Sequence, residues 1–133
     1  MRETPATKET AILDALYVTR KAMQSIAGKK AAHRTLVVFA DMVEDSERAN
    51  FERENLSARR IKAILDLEEK NGRLPDMKGV DVWVAGATPN RAMGEARIRS
   101  IEKFWEAYFS RCGALLTPDR YGPALFNFAL AKN

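Results

Sequence analysis

Two short runs rich in β-branched residues limit what this chain can become: Thr35-Leu-Val-Val-Phe-Ala40 and Val80-Asp-Val-Trp-Val-Ala85. Both have the length and composition of strands. Between them lies Ser57 to Lys70, where Ile61, Ile64, Leu65 and Glu68 fall along one side of a helix. Ser57 suits the N-cap, Leu56 and Ile61 have staple spacing, and Asn71-Gly72 with Pro75 supplies the stop. Strand, helix, strand in that order predicts a parallel pair joined by a right-handed crossover.

The flanks extend the alternation. Ile12, Leu16, Thr19, Met23 and Ile26 predict a helix from about Thr7 to Ala27, stopped by Gly28. A third helix is expected from about Pro89 to Arg111, with Thr88-Pro89 at its start. Its apolar face holds Ile98, Ile101, Trp105, Tyr108, Phe109 and Cys112, and the helix period makes that face core. Gly113 ends it. A last strand is expected in Ala114 to Thr117 or in Ala124 to Phe128, with a turn from Pro118 to Gly122. The polar stretch from Glu44 to Asn55 has too many charges for a core element and reads as a long loop or exposed helical turn. The fold class expected is α/β: one domain over 1–133, a three-layer parallel sheet with helices on both faces. The first run is apolar on both faces, as a doubly covered strand is.

Composition narrows the setting. The chain has 133 residues and one cysteine, so no disulfide can form within it, and a reducing compartment fits. No apolar run reaches the roughly 18 residues of a membrane span. The start, Met1 to Thr10, has no apolar signal region. A cytoplasmic location is expected. The net charge of +4 is mildly basic. Its charges alternate in sign through Glu44, Asp45, Glu47 and Arg48, which describes a solvated face and argues against nucleic acid.

Chemistry in such sheets sits beyond the carboxyl ends of the strands. Here those ends are Asp41 to Ser46, Gly86 to Asn90 and Thr117 to Gly122. The residues facing a ligand or partner are expected to be Met42, Glu44, Asp45, Ser46, Thr88, Asn90, Arg91 and Arg120. No catalytic set emerges. Gly28-Lys29-Lys30 lacks phosphate-loop spacing, and His33, the single histidine, sits before a strand without an assignable partner. Cys112 lies on an apolar helix face, where a thiol is buried and inert, and no Cys/His cluster suggests zinc.

Thr10-Ala-Ile-Leu-Asp-Ala-Leu16 resembles the threonine loop and following helix of von Willebrand factor A domains. Leu36-Val-Val-Phe-Ala-Asp41-Met42 resembles that family's strand and the Asp that ends it, with Ala40 in place of the usual serine. Leu74-Pro-Asp-Met-Lys-Gly-Val-Asp-Val and Phe104-Trp-x-x-Tyr-Phe with Gly113-Ala114 resemble later parts. The resemblance covers most of the chain but only the second half of the family's fold, the part lacking the N-terminal strands. It implies a metal site at the top of the sheet, with Thr10 and Asp41 as ligands. The family's Asp-x-Ser-x-Ser loop does not occur before Thr10, so the site is vestigial: no cofactor, or Mg²⁺ if a partner completes the oxygen shell. Without it Thr10 reads equally as a helix-start residue and Asp41 as a turn former.

Two functions follow as expectations. The first is a non-catalytic protein-interaction module, with a partner or a second copy joining at the edge of Leu36 to Ala40. The alternative is a small α/β enzyme or binding protein for a phosphorylated or anionic ligand, held near Thr88 to Arg91 with help from Arg120.

Overall fold

A computed structural model describes residues 11–27, 34–54, 56–87, 94–114 and 116–122. Five main elements appear in chain order: α1 (Ile12–Ala27), β1 (Arg34–Phe39), α2 (Ala58–Lys70), β2 (Val80–Ala85) and α3 (Glu95–Cys112). A 3-10 turn, Pro118–Arg120, follows them. The protein is thus mixed α/β. No helix among the described residues is long and apolar enough to cross a membrane.

β1 and β2 pair in parallel, with Leu36 opposite Val82 and Val38 opposite Val84. On the far side of β2, Tyr121 forms a parallel bridge to Val84. Gly122 N–H donates to the Val84 carbonyl at 3.2 Å, and Ala87 N–H donates to the Gly122 carbonyl at 3.1 Å. β2 is therefore flanked on both sides, and among the described residues β1 takes the outer place. The third strand position opens at Tyr121, inside the segment expected to be a turn. Hydrogen bonding to the edge of β2 decides this, and residue composition does not report it. The expected strand at 124–128 lies outside the described residues.

Alternation divides the sheet into two faces. Val80, Val82 and Val84 join one core cluster with Leu13 and Leu16 of α1, Ile64 and Leu65 of α2, and the aromatic face of α3. Leu36 and Val38 pack against the same cluster. Among the described residues the other face of β1 is partly open: Thr35 is exposed, Val37 is half-buried and Phe39 is 74% exposed. Burial of β1 on both faces is therefore not found. Its apolar composition reports strand propensity, while coverage depends on what packs above it.

The cap and the buried stripe expected of α2 are present, with Ile61 half-buried. Ser57 Oγ accepts from Arg60 N–H at 3.1 Å, and Leu56, Ile64, Leu65 and Glu68 are buried. For α1 the buried line is Ile12, Leu13, Leu16 and Arg20, while Thr19 and Met23, expected on the apolar face, are half-buried. The start of α3 is corrected. Gly94 adopts φ 87° and ψ 149°, a conformation a helix cannot contain, and the helix begins at Glu95. Gly113 closes it at φ 87° in the left-handed region.

The segment from Asp41 to Glu54 is the largest departure from expectation. It turns back on itself through a bridge between Asp45 and Asn50. Met42, Glu44, Ala49 and Phe51 are buried within it. Phe51 meets the Phe104 ring edge-on at 4.8 Å. A charged stretch thus supplies core because its apolar residues are spaced to point inward while its charges find partners.

Candidate functional site at the carboxyl end of the first strand

Asp41 lies just past β1 on an exposed position, and its Oδ1 accepts from Val43 N–H at 2.9 Å. That is the local turn bond expected of aspartate after a strand. Met42 follows at φ 67°, a left-handed conformation uncommon for a side chain larger than glycine. It is fully buried, and Trp105 Nε1–H donates to its carbonyl at 2.8 Å. The tryptophan of α3 therefore clamps the strand end.

Glu44 is also fully buried, and its Oε1 accepts from Leu13 N–H at 3.0 Å in the first turn of α1. A carboxylate at a helix N-terminus takes up an otherwise unpaired N–H and faces the positive end of the dipole. Phe51 N–H donates to the Glu44 carbonyl at 2.8 Å. Asp45 Oδ1 accepts from Asn50 Nδ2 at 3.4 Å, and Ser46 Oγ accepts from Arg48 N–H at 3.3 Å. Met42, Glu44, Asp45 and Ser46 are thus gathered at the strand end, as expected, but each is engaged in holding the loop.

Beneath the loop lies a charge network that sequence reading missed. Arg48 reaches Glu68 at 2.8 Å and Asp14 at 2.7 Å. Arg73 reaches Asp14 as well and lies 3.7 Å from Glu68. Glu68 is buried, and Asp14 is held below the usual carboxylate range, first by the hydrogen bond from Arg48. One signal existed: a glutamate on the apolar stripe of α2 requires a buried cation nearby. Nothing in the spacing identified Arg48 and Arg73 as that cation.

The opposite rim gathers acidic groups. Burial pushes the Tyr121 phenol well above its ordinary range, and the charges of Glu102, Asp41 and Glu106 add to the effect. Glu102 is raised by burial and then by Glu106. Among the described residues, no group of three or more His, Cys, Asp or Glu side chains could hold a metal ion. Arg120 does not join Asp41. Its guanidinium stacks on the Trp83 ring at 4.5 Å and lies 3.5 Å from Asp81. Thr10, His33, Thr88, Asn90 and Arg91 lie outside the described residues. Cys112 is buried as expected, and burial pushes its thiol up to about 12.

The Glu44 carboxyl is raised from its ordinary 4.5 by burial, against the pull of Ser46, the N–H groups of Leu13 and Ile12, and Arg48. A folded state that holds the proton more tightly than the unfolded chain is penalised at neutral pH. The penalty is relieved as pH falls through the raised value toward 4.5. Wild type is therefore expected to gain stability relative to Glu44→Gln as pH falls from neutral toward 4.5. Urea unfolding at stepped pH measures it, and parallel profiles would show that Glu44 does not titrate in that window.

No family model, curated protein or solved structure matches the chain.

Proposed function

We propose that this chain is a non-catalytic protein-interaction module, a degenerate von Willebrand A-like domain that engages its partner along β1. The observation that carries the reading is the state of that strand. Among the described residues β1 pairs only with β2, and Phe39 stands 74% exposed at its end. An apolar strand with a free edge is a template for another strand. In this reading the sheet is the middle layer of three, and the occupant of the edge is a partner polypeptide or a second copy. The strand-end loop beside it is prestructured by Trp105 and Glu44, so recognition there carries little ordering cost. Thr10 and Asp41 form a vestigial metal site, filled by Mg²⁺ only if the partner adds oxygen ligands. The module works in the cytoplasm.

The alternative, an enzyme or binder of anionic ligands at the start of the third helix, has less support. That helix starts at Glu95, which puts a carboxylate in its first turn, and Arg120 is held by Trp83 and Asp81. An acidic first turn disfavours an anion.

Light scattering at micromolar concentration tests the edge. A species larger than 14.9 kDa is expected, shifting toward monomer in Phe39→Lys. A stable, soluble monomer of 14.9 kDa that neither self-associates nor takes up a strand peptide would overturn the reading.

A further inference from the structure

We propose that the occupant of the β1 edge is a second copy of this chain, joined to the first by antiparallel pairing about Val37. The proposal rests on β1 being an open edge, as in the proposed function, and names what fills it. The hydrogen bonds of β1 fix which of its backbone groups are on offer. Arg34 N–H donates to the Gly79 carbonyl at 3.1 Å, and Ala40 N–H donates to the Ala85 carbonyl at 3.0 Å. In a parallel ladder a residue turns its N–H and C=O to the same side, and that side alternates along the strand. Arg34, Leu36 and Val38 therefore face β2, opposite Val80, Val82 and Val84. Thr35, Val37 and Phe39 turn their N–H and C=O the other way, to the edge that no described strand occupies.

These three residues form a self-complementary set. A two-fold axis through Val37, normal to the sheet, sets Val37 opposite itself and Thr35 opposite the partner's Phe39, and the reverse. In that register every outward N–H and C=O of the three residues meets its counterpart. Sliding by two residues carries Thr35 or Phe39 past the end of the partner strand. Sliding by one sets outward groups against residues already bonded to β2. The side chains favour the same register. Thr35 and Phe39 are exposed and Val37 half-buried on the face away from the core. Across the axis each Phe39 lies beside the partner's Thr35, an aromatic and β-branched pair of the kind that stabilises sheets. Nothing in the strand opposes the join: Arg34 to Phe39 holds no proline, lysine or acidic residue, and its one charge stands at the first position. Antiparallel pairing also carries the two exposed Asp41 carboxylates to opposite ends of the joint pair. An unrelated polypeptide would have to supply this match, whereas a second copy carries it by construction.

Amide hydrogen exchange of the full chain at rising concentration is the test. The Leu36 and Val38 amides should be protected throughout, because they bond to β2. The Thr35, Val37 and Phe39 amides should exchange freely in dilute solution and slow by about tenfold or more as copies pair. Oxidation of Val37→Cys by copper phenanthroline should then give a disulfide-linked dimer, since residues opposed across an antiparallel pair lie within disulfide reach. Val18→Cys, exposed on α1, should give none, and neither should wild type, whose cysteine is buried. Free exchange of the three outward amides at every concentration overturns the proposal. If an added peptide of alternating Thr and Val then protects those same amides, the edge reading stands and its partner is another polypeptide. Protection of the three amides at every dilution in a 14.9 kDa monomer would show the edge filled within one copy and overturn both. A larger species with neither added protection nor a Val37→Cys cross-link would place the contact elsewhere and overturn the proposal too.

Discussion

Trp105→Ala is expected to remove about 3–5 kcal/mol of stability, the range for losing a large aromatic side chain from a core. Trp105 is fully buried and meets Phe104 at 4.9 Å, Tyr108 at 5.3 Å and Phe51 at 6.0 Å between ring centroids. Each such edge-on pair adds to the area term. Its Nε1–H also holds the Met42 carbonyl where the backbone turns left-handed. A domain of this size has about 5–15 kcal/mol in total, so the variant should be largely unfolded or close to it at ambient temperature. Trp105→Phe separates the two roles. It keeps most of the ring packing and loses the hydrogen bond, for an expected cost of about 1–3 kcal/mol from the unsatisfied carbonyl. Urea unfolding of the three proteins is the measurement. A cost below about 1 kcal/mol for Trp105→Ala would remove this face of α3 from the core.

The second large effect is expected at Arg48. Removing one partner of a buried ion pair leaves an uncompensated charge and costs about 3–5 kcal/mol. Glu68 is 2% exposed and lies 2.8 Å from Arg48, so Arg48→Met should approach that range. Arg73 stays within 3.7 Å of Glu68 and holds the cost to the lower end. The double variant Arg48→Met with Glu68→Leu is expected to recover most of the loss, because an apolar pair of similar volume is often as stable as the ions it replaces. By comparison, the exposed pair Lys62 to Asp66 is screened by solvent and should contribute little. Chemical denaturation of single and double variants forms the cycle. If Arg48→Met costs no more than the exposed pair, the network is decoration on the fold. Asp14 adds a pH signature of opposite sign to Glu44. Its carboxyl is held below 3.8, so its contribution is present above that value and fades as pH falls through the lower folded one.

The sequence by itself determined the elements and the core of the helices. Periodicity located α2 and the body of α1, whose start at Ile12 lies past the expected Thr7, and strand composition located β1 and β2 to within a residue or two. Ser57 was legible as a cap because its hydroxyl acts on an amide three residues away. Trp105 was legible as core because the helix period places it beside Ile101, Tyr108 and Phe109. The strand end from Asp41 to Ser46 was legible as a place, since topology puts strand ends together.

Tertiary structure decided the rest. Whether β1 is covered on both faces depends on what packs above it, and the same apolar run serves either outcome. The helix start at Glu95 turned on the backbone conformation of Gly94, which a Thr-Pro signal upstream could not override. Phe51 entered the core from a charged stretch because Phe104, distant in sequence, offered it a ring edge. Arg48 and Arg73 met Glu68 and Asp14 across a fold that brings α1, α2 and two loops together. Local signals act over a few residues of chain. Burial and charge pairing act through space, and only the packed molecule sets those distances.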